Sequence, residues 1–318
     1  MRPGALAEPV TSSGSEAPAV GATTPLGASA LTAVVVSLRP RQWSKNLFVF
    51  AGLVFAEKLF TPAAVVAFAA FAIFCGLSGA IYLLNDVADR ERDRRHPTKR
   101  FRPIAAGRLG VAPAIAVAVV LIVAGLAASA AIDWRFAFTA AVYVALLSAY
   151  SSWLKHVVIV DVLVVAIGFV LRAVAGALAI DVQISGWLLI CTILIALFLA
   201  LGKRRHEFIM LAGGADRHRP ILHEYSEALL DQMIAVVTAS TLTAYALYTM
   251  SPETVAKFHT QWLPATLPFV LYGIFRYLYL LYRRQLGGSP AELLLTDRPL
   301  FVNAVLWIAA VLVIIYAL

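Results

Sequence analysis

The chain has 318 residues, 61% of them hydrophobic and 14% charged, with a mean hydropathy of +0.83 and a formal net charge of +8. A soluble globular domain cannot keep that much apolar surface out of water, so the composition excludes an ordinary soluble enzyme and points to a polytopic membrane protein. The two cysteines, Cys75 and Cys191, lie inside apolar runs and read as packing residues, not as a disulfide or a metal site.

Residues 1–30 are rich in Ala, Gly, Pro, Ser and Thr and lack a positive-then-apolar pattern. They read as a disordered tail and not as a signal peptide. Residues 31–318 read as one transmembrane unit. Six runs hold roughly 19 or more residues free of Asp, Glu, Lys and Arg, enough to span the ~30 Å hydrocarbon layer. They are Leu59–Asn85, Leu109–Ile132, Phe136–Leu154, Val182–Gly202, Gln232–Pro252 and Pro299–Leu318. Three further spans carry isolated charges: about 43–60, about 157–180 with Asp161 and Arg172, and about 262–282 with Arg276. The expected fold is all-α with nine transmembrane helices, because long runs without alternation do not suit a barrel.

Charge placement orients the bundle. With the N-terminus in the cytoplasm, twenty Lys or Arg fall at cytoplasmic loops and helix ends, against Lys58, Arg135 and Lys257 on the other side. That asymmetry follows the positive-inside rule. The same charge could serve nucleic acid, but its spread over membrane loops is what topology alone requires, so nucleic acid is not an expected partner.

The second span ends in NDVADRERDRRHPTKRFRPIAAG, residues 85–107. Asp86, Asp89 and Asp93 are spaced i, i+3, i+7 and so share one helical face, bordered by Tyr82 and Asn85. Three carboxylates on one face repel unless a cation sits among them. Such oxygen ligands, with Asn85 in support, suit Mg²⁺, which shares its coordination with substrate phosphates. The plainer alternative is a solvated helix end in which these acids pair with Arg90, Arg92, Arg94 and Arg95. It accounts for the charge balance but not for the stripe. Pro97 and Pro103 oppose a long helix here, which puts Lys99, Arg100 and Arg102 on a loop beside the acids. These cations suit phosphate oxygens, or they serve topology alone.

Other helix ends are basic as well. Lys45 in RPRQWSKN sits at the membrane boundary, where it can snorkel or bind an anion. YSSWLKHVVIVD puts Tyr150, Lys155 and His156 at the junction of the fourth and fifth spans. Arg172 lies inside the fifth span, and an intramembrane arginine is a functional-site hypothesis by default. Asp161 is eleven residues earlier and too far to pair with it, so Arg172 needs another anion, either a lipid phosphate or an acid on another helix. LGKRRHEF ends the sixth span with Lys203, Arg204, Arg205 and His206, partly explained by the helix dipole. Arg276 is left between snorkelling and function.

The NDVADRERD stretch resembles the first aspartate-rich motif of the UbiA superfamily of intramembrane prenyltransferases. That resemblance implies a UbiA-like helical bundle in the plasma (inner) membrane, with a Mg²⁺-dependent cleft facing the cytoplasm. LRPRQWSKN, the full NDVADRERDRRHPTKRFRPIAAG, YSSWLKHVVIVD and LGKRRHEF together resemble one branch of the superfamily. Its members move 5-phosphoribose from phosphoribosyl pyrophosphate (PRPP) to a polyprenyl (decaprenyl) phosphate on the route to a cell-wall arabinose donor. Typical superfamily members carry a second aspartate-rich motif, whereas the corresponding helix end here reads GKRRHE. A highly anionic donor suits that change better than a prenyl diphosphate held between two acidic motifs.

The resemblance implies catalytic roles for Asp86, Asp89 and Asp93, with these and Asn85 on Mg²⁺. It implies substrate contacts for Lys45, Tyr82, Asn85, Lys99, Arg100, Arg102, Tyr150, Lys155, Arg172, Lys203 and Arg204. The expected partners are PRPP, polyprenyl phosphate and the lipid bilayer, with a homo-oligomer left open. The rival functions are a prenyltransferase using a prenyl diphosphate and a hydrophobic acceptor, and a transporter of an anionic lipid or solute.

Overall fold

The computed structural model describes residues 30–212 and 220–317. The expected tail therefore lies outside the described residues except for Ala30, and so do Arg217 and Arg219. Thirteen α-helices follow one another, and there is no strand among the described residues. They are α1 (Ala30–Ser37), α2 (Ala51–Phe55), α3 (Ala63–Ala88), α4 (Arg90–Arg94), α5 (Val111–Ile132), α6 (Trp134–Ser152), α7 (Val160–Ala179), α8 (Gly186–Ala212), α9 (Glu227–Met250), α10 (Pro252–Phe258), α11 (Leu267–Arg283), α12 (Pro290–Thr296) and α13 (Arg298–Ala317).

Seven of these, α3, α5, α7, α8, α9, α11 and α13, are long and apolar enough to cross a membrane. In α6, 19 residues give about 28 Å of helix. Its start is set by Asp133, whose carboxylate accepts from the backbone N–H of Arg135 at 2.7 Å and Phe136 at 3.2 Å. That is an N-cap at the point where the chain reverses out of α5.

The span expected at about 43–60 is not one continuous α-helix. After α1 the chain turns at Arg39, whose φ of 53° is left-handed, and Pro40 follows. Pro40–Phe50 then winds as a 3₁₀ helix before α2 begins. Backbone contact with α7 accompanies the change. A Cβ on Gly176 would collide with the carbonyl of Val49, and one on Gly52 would lie 2.9 Å from the Cα of Ala177. Only glycine lets two backbones come this close. The thinner 3₁₀ segment lies flush against α7 at the cost of poorer hydrogen-bond geometry.

Side-chain contacts sort the helix ends into two groups. The ends of α3 and α8 meet the starts of α7 and α9 and the end of α11 through Lys155–Asp89, Arg204–Asp161, Arg205–Asp231 and Tyr282–Asp231. At the other end of the bundle, Arg135 bonds Asp133 and, at 2.9 Å, Asp181 in the turn after α7. Between the two ends the core is apolar. Phe74, Phe136 and Tyr143 pack together where α3, α6 and α7 meet. Phe198, Leu230, Ile234 and Tyr277 fill the space among α8, α9 and α11. Cys75 is buried and Cys191 half-buried, and both are free thiols.

Candidate active site at the charged end of the bundle

The last two turns of α3 carry Tyr82, Asn85 and Asp86. The helix does not run on as the i, i+3, i+7 spacing expects. It ends at Asp89, which caps α3 and opens the five-residue α4 holding Asp93. This break divides the acids. Asp86 and Asp93 are 2% and 3% exposed and converge on one guanidinium. The Nη1 of Arg102 lies 3.1 Å from Asp86 Oδ1 and 2.6 Å from Asp93 Oδ2. Asp89 faces away, 3.4 Å from Arg92 and 3.5 Å from Lys155.

Arg102 owes its reach to the residue after it. Pro103 disfavours helical backbone at the preceding position, and Arg102 is extended, at φ −60° and ψ 142°. Of the three loop cations expected beside the acids, Arg102 is bonded to both Asp86 and Asp93. Lys99 and Arg100 form a single 3₁₀ turn, in which Arg100 lies 4.8 Å over the Phe101 ring.

A second guanidinium comes from the N-terminal segment. Arg39 bonds Asp86 and lies 4.8 Å over the Tyr82 ring. Its left-handed backbone costs on the order of 1–3 kcal/mol and persists only where the surroundings enforce it. Arg39 was not among the expected site residues. In the sequence it is one more cytoplasmic cation, and only the fold brings it to Asp86.

The two buried carboxylates of Asp86 and Asp93 supply hard oxygens whose chemistry fits Mg²⁺. The bridging guanidinium of Arg102 stands where a cation between them would be. Among the described residues no three His, Cys, Asp or Glu side chains converge as a ready-made metal cage.

Deeper in the bundle, Arg172 is 4% exposed. It donates to Asn46 Oδ1 at 2.8 Å, to the Gly168 carbonyl at 2.8 Å and to the Tyr143 hydroxyl at 2.6 Å. All three acceptors are neutral, so the expected alternative of an acid on another helix is not what holds it. The charges that act on half-buried Lys45 are those of Arg172 and Arg39, both positive. This is a low-dielectric pocket of positive charge, and an anion would complete it.

The basic GKRRHE motif is neutralised from within. Arg204 bonds Asp161 at 2.5 Å and Glu207 at 2.6 Å, and donates to the Tyr150 hydroxyl at 3.2 Å. Arg205 bonds Asp231 at 2.5 Å and Glu227 at 2.8 Å under the ring of Tyr282. Lys203 lies 3.8 Å from Glu207. Tyr225 completes the network, accepting from the N–H of Ile159 and donating to Asp161 Oδ1, both at 2.8 Å. Burial pushes its phenol up to about 12. Arg276, left open by the sequence, forms a two-pronged pair with Asp297 at 3.1 and 2.8 Å.

The family model of the UbiA prenyltransferase family matches residues 46–303. The chain belongs to that family. This UbiA-family chain is 34% identical, over 289 residues, to the decaprenyl-phosphate phosphoribosyltransferase of Corynebacterium glutamicum, covering 89% of this chain and 86% of that one. It is 34% identical over 298 residues to the enzyme of the same name from Mycolicibacterium smegmatis, covering 90% and 93%. Its fold is that of a UbiA homologue from Archaeoglobus fulgidus solved with GPP and Mg²⁺, with a TM-score of 0.67 and 18% identity over 89% of this chain and 99% of that one.

Proposed function

We propose that this UbiA-family protein transfers 5-phosphoribosyl from PRPP to a polyprenyl (decaprenyl) phosphate and releases diphosphate. The observation that supports the reading is two differently partnered groups of buried or part-buried guanidinium side chains. One is the acid–guanidinium seat of Asp86, Asp93, Arg102 and Arg39. The other is Arg172, held by the neutral groups of Asn46, Gly168 and Tyr143, with its charge acting on Lys45. A donor diphosphate and an acceptor phosphate need two such places. The names of relatives at 34% identity over most of the chain select this chemistry among UbiA-type transfers.

In this reading nine segments cross the plasma membrane, counting α6 and the broken first segment with the seven long helices. The charged end faces the cytoplasm as an open cleft, by the positive-inside rule. Asp86 and Asp93, with Asp89 and Asn85, would hold Mg²⁺, which would supply charge stabilisation for the diphosphate leaving group. Arg39, Arg102 and Lys155 turn from the carboxylates to the donor's phosphate oxygens, with Lys99 and Arg100 at the rim. Arg204 and Lys203 hold the wall opposite, the former through Tyr150 and Asp161. Arg172 and Lys45 draw in the lipid phosphate. One of its oxygens attacks C1 of the ribose as the bond from C1 to diphosphate breaks, through an oxocarbenium-like state. The nucleophile is already anionic, so no general base is required.

The test supplies detergent-purified protein with Mg²⁺, polyprenyl monophosphate and radiolabelled PRPP. Label should pass into the organic phase, and Asp86→Asn should abolish transfer. If no label moves while a prenyl diphosphate is consumed, the protein is a prenyltransferase of the other kind.

A further inference from the structure

Two buried carboxylates are often treated as a metal site that waits for its ion. Here the seat is already filled with positive charge. Asp86 receives Arg39 and Arg102, and Asp93 receives Arg102. Asp89 is met by Lys155 from the connection between α6 and α7. The cations come from three separate stretches of chain.

The charges nearly balance without a metal. A bare divalent cation would have to displace Arg102 and Arg39 from these carboxylates, their only ones among the described residues. Both side chains are about a quarter exposed, so neither is deeply trapped. Even so, each would be left beside a new 2+ charge with no anion of its own. Like charges at that distance in a partly desolvated site oppose such an exchange. A diphosphate changes the balance, because its oxygens accept the released guanidinium groups in the forked geometry that arginine prefers.

We propose that Arg102 and Arg39 act as a guard on the acidic seat, so that a divalent metal is bound only together with a phosphate-bearing donor. The inference rests on the reading of Asp86 and Asp93 as the metal seat given above. Its consequence is linkage: if the diphosphate raises metal affinity by some factor, metal raises diphosphate affinity by the same factor. The backbone supports such a role. Pro103 holds Arg102 extended, and the left-handed turn at Arg39 aims a second guanidinium at the same acid.

The experiment measures Mn²⁺ binding to the detergent-purified full chain by equilibrium dialysis and electron paramagnetic resonance. It is run with and without inorganic pyrophosphate, and a protein-free sample corrects for Mn²⁺–pyrophosphate in solution. Pyrophosphate should tighten Mn²⁺ binding by roughly tenfold or more, within the usual range of coupling between ligands. Arg102→Gln and, independently, Arg39→Gln should tighten binding of Mn²⁺ alone and shrink that factor. Thermal unfolding checks that each variant is folded, and either variant alone suffices. Equal Mn²⁺ binding with and without pyrophosphate overturns the guard, as does unchanged Mn²⁺ affinity in both folded variants. Asp86→Asn separates this failure from a deeper one. If Mn²⁺ binding with pyrophosphate survives in Asp86→Asn, the seat itself has been misassigned, and the guard falls with it.

Discussion

The Nε of Arg204 lies 2.5 Å from Oδ2 of Asp161, with the two side chains 4% and 0% exposed. The pair joins the end of α8 to the start of α7, and Tyr225 ties in the segment before α9 through the other carboxylate oxygen. An acid in the first turn of a helix also complements its dipole. Removing one partner of a buried pair strands the other's charge. Asp161→Asn should therefore cost ~3 kcal/mol, the lower end of the range for such losses because Glu207 still holds Arg204. Thermal unfolding monitored by size-exclusion chromatography measures this, and a melting temperature unchanged within a degree would show that the pair is dispensable.

Arg172 makes the opposite case. No carboxylate among its bonded partners offsets its buried charge. Arg172→Met should leave stability equal or higher, since an apolar side chain of similar length replaces a desolvated cation. Transfer to polyprenyl phosphate should fall by ~100-fold or more, with much of the loss in KM for the lipid. Steady-state kinetics at varied lipid phosphate, run beside thermal unfolding, separates the two effects. A variant that unfolds readily yet keeps its turnover would make Arg172 a structural residue.

Gly176 gives a test of the broken first segment. A methyl group there meets the Val49 carbonyl, whereas a Cβ on Gly186 meets nothing within 4 Å. Gly176→Ala should destabilise by ~1–3 kcal/mol or prevent folding, as overpacking does. Gly186→Ala should be neutral or slightly stabilising through the unfolded chain. Expression yield and melting temperature of the two variants, compared side by side, report the difference.

Asp297 carries a pH dependence. Hydrogen bonds from Arg276 hold its carboxyl below the usual carboxylate range, and it accepts from the N–H of Leu300 at 3.0 Å as α13 begins. A carboxyl lowered on folding contributes in full above its unfolded value, near 3.9. That contribution is lost as pH falls through the folded value. Between pH 5 and 3 the melting temperature of the wild type should fall more steeply than that of Asp297→Asn. Between pH 6 and 8 the gap between them should stay constant. Parallel slopes in acid would assign the acid sensitivity to other groups.

Much of the fold was legible in the chain because its signals are local. A run of apolar residues long enough for the bilayer identifies itself, and so do Pro97 and Pro103 as an obstacle to helix. The acidic stripe stood out by spacing alone, although the break at Asp89 did not. The nearly uniform apolar pattern of α3 says nothing about where its last turn gives way. The first segment was misread as a continuous span for a related reason. Its winding depends on how closely Val49 and Gly52 approach Gly176 and Ala177, more than 120 residues away in sequence.

The sequence by itself determined that this is a helical membrane protein with a dense cluster of acids and cations at one end of its bundle. Hydrophobic length, charge asymmetry and residue spacing are enough for that. The tertiary structure alone decided which charges meet. Arg39 reaches Asp86 across 47 residues, Arg204 reaches Asp161 across 43, and Arg172 reaches Asn46 across 126. An ionisable side chain takes its role from what desolvates it and what neutralises it. Both are supplied by other parts of the chain, so a buried arginine paired with an acid and one lacking any acid look alike until the helices are packed.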